Sequence, residues 1–197
     1  SRLELQIRGG GGQQSGLYID DIPLHSLRSR SVDLRLFAVD LLESAELELG
    51  GDGAAQGSGA MTGSFRLLTP QPDTEPRQKI KLNASTQGFA RLSALLVPKE
   101  HYGVNSLVAI SLSGGPNAYA YVNQYGTHMR RENSSFHHMS ALTKLETEKV
   151  DWRLKLSFGL GTLNRDEPGP ETFSLPGRKS EQRALWLSAS QQSPSWF

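Results

Sequence analysis

The chain has no cysteine, which removes disulfides, thiolate nucleophiles and cysteine metal sites together. Nor does it hold a run near the roughly 18 apolar residues that a spanning helix needs, so no membrane span is expected. Charge of one sign is missing too. A formal net charge of +1 gives no electrostatic case for nucleic acid or an acidic surface. Aromatic residues are scarce at 8%, and Ser1 lies in a strand-like segment with no leader pattern.

What is present is alternation. Asp151–Leu163, DWRLKLSFGLGTL, places Trp152, Leu154, Leu156, Phe158 and Leu160 on one side and Asp151, Arg153, Lys155, Ser157 and Gly159 on the other. In water such a strand buries its apolar face under a second layer. Leu3–Arg8, Leu17–Ile22, Ser64–Thr69, Lys79–Ala84, Phe89–Val97, Ser106–Ser113 and Ala184–Ala189 also read as strands. Val32–Leu49 reads as strand, bend, strand, with a central helix as the alternative. Gly 20 and Pro 10 mark turns and long connections, expected as flexible loops at 9–16, 50–63, 70–78 and 164–180. Within Asn133–Val150, Phe136, Met139, Leu142 and Leu145 recur every three residues behind a capping Ser134 or Ser135. That spacing predicts one short helix near 134–149. The expected fold is mainly β, an antiparallel jelly-roll-like sandwich forming a single domain over 1–197.

Few groups suggest chemistry. Tyr119, Tyr121, Asn123 and Tyr125 alternate as one strand face, so the three tyrosines are candidate ligand contacts. His128, His137 and His138 are weak metal candidates, with Glu132 beside them. Adjacent His137 and His138 diverge on a helix and HExxH is absent, so no metal and no cofactor are expected. His138 and Ser140 would share a face on a strand and diverge on a helix, which leaves no convincing base and nucleophile. Gly9–Gly12 lacks the lysine and following helix of a phosphate loop. Asn83-Ala84-Ser85 and Asn133-Ser134-Ser135 fit glycosylation sequons. Trp196 and Phe197 are candidate partner anchors at the chain end.

Tyr125–His128, YGTH, resembles part of the signature of the membrane-attack-complex/perforin family over four residues. That family has an aromatic after the histidine, where this chain has Met129, and a larger domain, so no residue roles are carried over.

The preferred function is therefore a soluble, non-enzymatic structural or interaction domain of a larger assembly, acting through loops and termini. Its expected partners are other protein subunits, a homo-oligomer among them, at an exported, cell-surface or particle-associated location. A carbohydrate- or ligand-binding module and a hydrolase using the histidine region are the alternatives. A small outer-membrane barrel ranks last. The sparse aromatics, Pro194 in the final segment, and the Lys and Glu within strands all count against it.

Overall fold

The computed structural model describes residues 15–20, 22–24, 33–49, 63–72, 75–116, 118–130, 134–149, 152–167 and 178–192. The chain divides into two compact units, residues 1–71 and 72–197, where the sequence reading has one domain over 1–197.

The first unit holds β1 (Ser15–Ile19), β2 (Ile22–Pro23), β3 (Ser44–Leu49) and β4 (Gly63–Leu68) in the order β2-β1-β4-β3. β1 and β4 are parallel; the other pairs are antiparallel. Asp20 follows β1 with φ of 51° and locks the sheet to the residue after β4. Its carboxylate accepts from the Thr69 backbone N–H and hydroxyl, both at 2.9 Å. Two 3-10 turns, Leu34–Leu36 and Val39–Leu41, stand where strand or helix was expected. Among the described residues, Ile19, Leu36, Phe37, Ala38, Leu41 and Leu67 are this unit's buried apolar residues. Asp33 caps the first turn and is itself buried, but it is not left unpaired. Arg35 donates to it through Nε at 2.8 Å and a terminal nitrogen at 2.5 Å. The bond to Asp33 raises the Arg35 pKa above its ordinary value against the opposing effect of burial.

The second unit is dominated by one antiparallel sheet. Its strands are β5 (Arg77–Ala84), β6 (Ala90–Val97), β7 (Val104–Gly115), β10 (Phe136–Lys149), β11 (Trp152–Asp166) and β12 (Lys179–Gln192). They lie side by side in chain order, β5 to β12. This is an up-and-down meander, whereas a jelly roll is built from Greek keys. A separate hairpin, β8 (Ala120–Val122) with β9 (His128–Arg130), interrupts the meander between β7 and β10. Tyr102 and Gly103 join β6 to β7 with φ of 52° and 74°, the two positive values that a type I′ hairpin turn requires.

The β content is as expected; the helix is not. Residues 136–149 form a strand hydrogen-bonded to β7 on one side and β11 on the other. The three-residue recurrence of Phe136, Met139, Leu142 and Leu145 suggested a helix, but burial runs with period two. Ser140, Leu142, Lys144 and Glu146 are buried, while Met139 and Leu145 are exposed. Two flanking ladders outweigh a weak local helical pattern.

Candidate functional site

Side chains paired across an antiparallel ladder share a face, so the register assigns each residue of the large sheet to a side. One cross-strand row reads Ile80, Ala94, Ile110, Ala141, Leu160, Leu185. The next reads Gln78, Leu96, Val108, Thr143, Phe158, Leu187. This apolar face is the exposed one: Phe158 is 43% exposed and Leu187 69%. On the opposite face Ser93, Ser111 and Ser140 form a row of buried hydroxyls. Lys144 and Glu146 lie on that same face, 3% and 7% exposed, among buried Leu107, Ala109 and Leu142. The alternation read from residues 151–163 is thus present with its sides exchanged: Leu156 and Phe158 are exposed, and the charges lie beneath.

The buried Glu146 carboxylate is paired. Arg153 on β11 bonds Glu146 on β10, and lies 3.6 Å from Glu148. Lys155 reaches Glu146 at 3.9 Å. Arg153→Ala would leave the buried carboxylate with the more distant Lys155. Since the arginine side chain is 41% exposed, solvent screens part of the interaction, and the expected loss is about 1–2 kcal/mol rather than that of a fully buried pair. Denaturant titration of the full-length protein measures it, and an unchanged midpoint would refute the role given to Arg153.

Chain connections separate into two ends. β6–β7 and β10–β11 turn at one end through residues 98–103 and 150–151. At the other end the connections are residues 85–89, 116–135 and 167–178, and the longest carries the β8–β9 hairpin. Asn123 shapes that hairpin's turn, its side-chain oxygen accepting from the N–H of Tyr125 at 3.0 Å and of Thr127 at 2.9 Å. Tyr119 and Tyr121 stand together, ring centroids 6.1 Å apart. Tyr125 does not join them on a strand face. It occupies the turn, 77% exposed, because β8 ends at Val122. The YGTH resemblance falls on this turn and the first residue of β9.

The three histidines are not gathered. His128 begins β9, while His137 and His138 are adjacent on β10 and so point to opposite faces. Among the described residues no three metal-ligating side chains form a group. His138 and Ser140 do share a face, with Nε2 and Oγ 3.2 Å apart, because 136–149 is a strand. Yet Ser140 is fully buried, and β10 is committed to ladders on both sides, so its backbone N–H groups are not spare oxyanion donors. The contact reads as a buried structural hydrogen bond. Trp196 and Phe197 lie outside the described residues.

Comparison with known proteins gives the context. Residues 1–64 match the family described as TonB-dependent Receptor Plug Domain. No curated protein matches the chain. Among solved structures, the ferripyoverdine receptor of the outer membrane of Pseudomonas aeruginosa aligns over 89% of this chain with a TM-score of 0.66 and 12% identity. The FrpB iron transporter from Neisseria meningitidis aligns over 94% with a TM-score of 0.69 and 17% identity. The siderophore receptor PiuA from Acinetobacter baumannii aligns over 83% with a TM-score of 0.61 and 17% identity. At such identities the likeness is one of fold. The chain spans 25%, 30% and 21% of those three proteins, respectively.

These findings correct the functional expectation. A soluble structural component of an assembly, with other subunits of a homo-oligomer as partners, accounts neither for the plug-domain match nor for a fold shared with outer-membrane receptors. The binding-module and hydrolase alternatives are set aside with it. An exported or cell-surface location is compatible with the same likenesses.

Proposed function

We propose that this chain is part of a TonB-dependent outer-membrane receptor that imports iron, its cargo a ferric siderophore or iron itself. Residues 1–71 belong to the plug domain, and the large sheet of residues 72–197 is an arc of the barrel wall. The observation that carries this reading is the exchanged alternation of that sheet. In water an exposed row such as Leu96, Val108, Phe158 and Leu187 is an aggregation hazard. Against hydrocarbon it is the required surface, while the lumen side tolerates serines and paired charges. Along β10 the outer residues run from Met139 to Thr147. At roughly 3.4 Å per residue and a tilt near 40°, they cover about 20 Å of height, close to the apolar band of such barrels. Trp152 lies at the short-turn end with Lys149 5.4 Å from its ring centre, a suitable pair for the membrane–water boundary. Short turns face the periplasm and long loops the exterior in outer-membrane barrels. The β8–β9 hairpin then stands outside the cell, with Tyr119 and Tyr121 as candidate cargo contacts.

The test is uptake by the full-length receptor. Iron-starved cells carrying it should accumulate radioactive iron supplied on siderophores from the source organism's own culture medium. Deleting either the receptor gene or TonB should abolish the gain. Replacing Tyr119 and Tyr121 together by Ala should raise the concentration for half-maximal uptake about tenfold with the protein still at the surface. Uptake that is indifferent to TonB would overturn the reading.

A further inference from the structure

We infer that the lumen side of β5 is a cationic track that selects a net-anionic iron chelate; the inference rests on the receptor reading above and narrows its cargo. The strand reads RQKIKLNA, and its alternation is one of charge. Arg77, Lys79 and Lys81 point to one face, and Gln78, Ile80 and Leu82 to the other. The register fixes which face is which. Lys81 pairs with Ser93, which begins the row of buried hydroxyls. Ile80 belongs to the apolar row of Ala94 and Ile110. The cations therefore line the side away from hydrocarbon. Same-face residues of a strand recur about every 7 Å, so the three cover about 14 Å along β5. Arg91 extends the series toward the long-connection end. It lies across from Asn83, one row beyond Lys81, with its guanidinium 5.3 Å from the Phe89 ring centre.

Carboxylates are distant from this track. Among the described residues, the six strands carry two on this face, Glu146 and Glu148, both on β10 and both beside Arg153. β10 is three strands from β5, about 14 Å, which exceeds the roughly 8 Å screening length of physiological salt. Glu75 and Glu100 lie beyond the short-turn ends of the strands, and Glu167 lies beyond the end of β11 with Arg165 and Arg178. Lysines on an edge strand can serve in water to prevent edge-to-edge pairing. That purpose does not fit a strand whose other face shows Ile80 and Leu82, 75% and 76% exposed. Access follows the same division. The β5 cations are exposed, whereas Ser111 and Leu107 on β7 and Ser140 and Leu142 on β10 are buried, so a solute moving along this wall meets β5. A field of one sign along a low-dielectric wall concentrates counter-ions and speeds their passage. Coordination chemistry then sets the cargo class. Catecholate and hydroxycarboxylate chelators bring more negative charge than the ferric ion carries, so their complexes are anions. Hydroxamates only balance it, and an added amine makes the complex a cation. The track favours the first group.

The test uses the full-length receptor in iron-starved cells. Siderophores from the source organism's culture medium are loaded with radioactive iron and separated by electrophoresis at neutral pH. Receptor-dependent uptake should come from the fraction that migrates to the anode. Lys79→Glu with Lys81→Glu should lower the uptake rate of that fraction about tenfold, while binding to chilled cells, which reads the outer contacts alone, changes less than about twofold. Lys79→Arg with Lys81→Arg keeps the charge and should retain most of the rate. Lys79→Gln with Lys81→Gln should give an intermediate loss, and it decides the matter where the Glu pair fails to reach the surface. Rates are compared per receptor labelled at the cell surface. Uptake confined to the neutral or cathodic fraction, or a rate indifferent to the Gln pair, would overturn the track and leave the receptor reading standing. A loss in the Arg pair as large as in the Gln pair would overturn it too, since shape and not charge would then limit passage. Uptake from every fraction that does not depend on the receptor would overturn the receptor reading itself.

Discussion

Phe158→Arg in the full-length protein should lower folding stability in lipid vesicles by about 2–4 kcal/mol, the cost of a cation at the midplane of a barrel's lipid face. Phe158 sits in the central row with Val108, Thr143 and Leu187. A long cationic side chain there must reach several rows to find water. The control is Gln191→Arg, on the same face in the row of Leu154 and Thr147 at the short-turn end. Near the interface the charge snorkels, and the expected cost is about 0–1 kcal/mol. Denaturant titration in vesicles compares the two. Equal and mild effects would mean that the exposed face meets water, and the receptor reading would lose its main support.

The second large effect concerns Gly159 and Trp186, which face one another across β11 and β12. A Cβ built on Gly159 would fall inside the indole ring, and Trp186 is buried, so the ring has little room to retreat. Gly159→Ala is therefore expected to cost about 3 kcal/mol, the upper end for overpacking. Trp186→Ala should cost about 3–5 kcal/mol through the cavity it leaves. The two changes should not add. With the indole gone, the methyl group at position 159 meets open space, so the double variant should be close to Trp186→Ala alone. Additive losses in a double-mutant cycle would show that the ring and the glycine are not in contact.

The strands were legible because period two survives any environment. Residues 79–84, 106–113 and 151–163 were read as strands and lie within β5, β7 and, from Trp152 onward, β11. Which side is buried was not legible. A strand between water and a protein core and a strand between hydrocarbon and a polar lumen carry the same alternation; only the solvent differs. This also explains why the barrel ranked last. The strand charges counted against it include Lys155, which lies on the face away from the apolar rows, as do Lys144 and Glu146 of the stretch expected to be helical. The misread helix came from Phe136, Met139, Leu142 and Leu145, whose three-residue spacing fits a helix, whereas on the strand Met139 and Leu145 belong to the exposed face and Leu142 to the buried one. Tyr125 was grouped with Tyr119 and Tyr121 by alternation alone, although Asn123 and Gly126 in YVNQYG sit at turn positions that end the strand. The carboxamide bonds that make it so are local, to the N–H groups two and four residues on.

The unequal connections have a bearing on how such a gene can drift. Residues 150–151 connect two strands paired from Lys149↔Trp152 onward, and a codon gained or lost there would have to be absorbed by a bulge or a different turn type, because β7 and β12 hold the registers of β10 and β11. Residues 116–135 carry no such constraint, since their ends are fixed by β7 and β10 while closure entropy changes little with length. Insertions, deletions and new recognition sequences can accumulate at one rim of the sheet and are purged at the other. Descendants of this chain would thus differ most at the rim that carries residues 116–135, and least where the strands turn back.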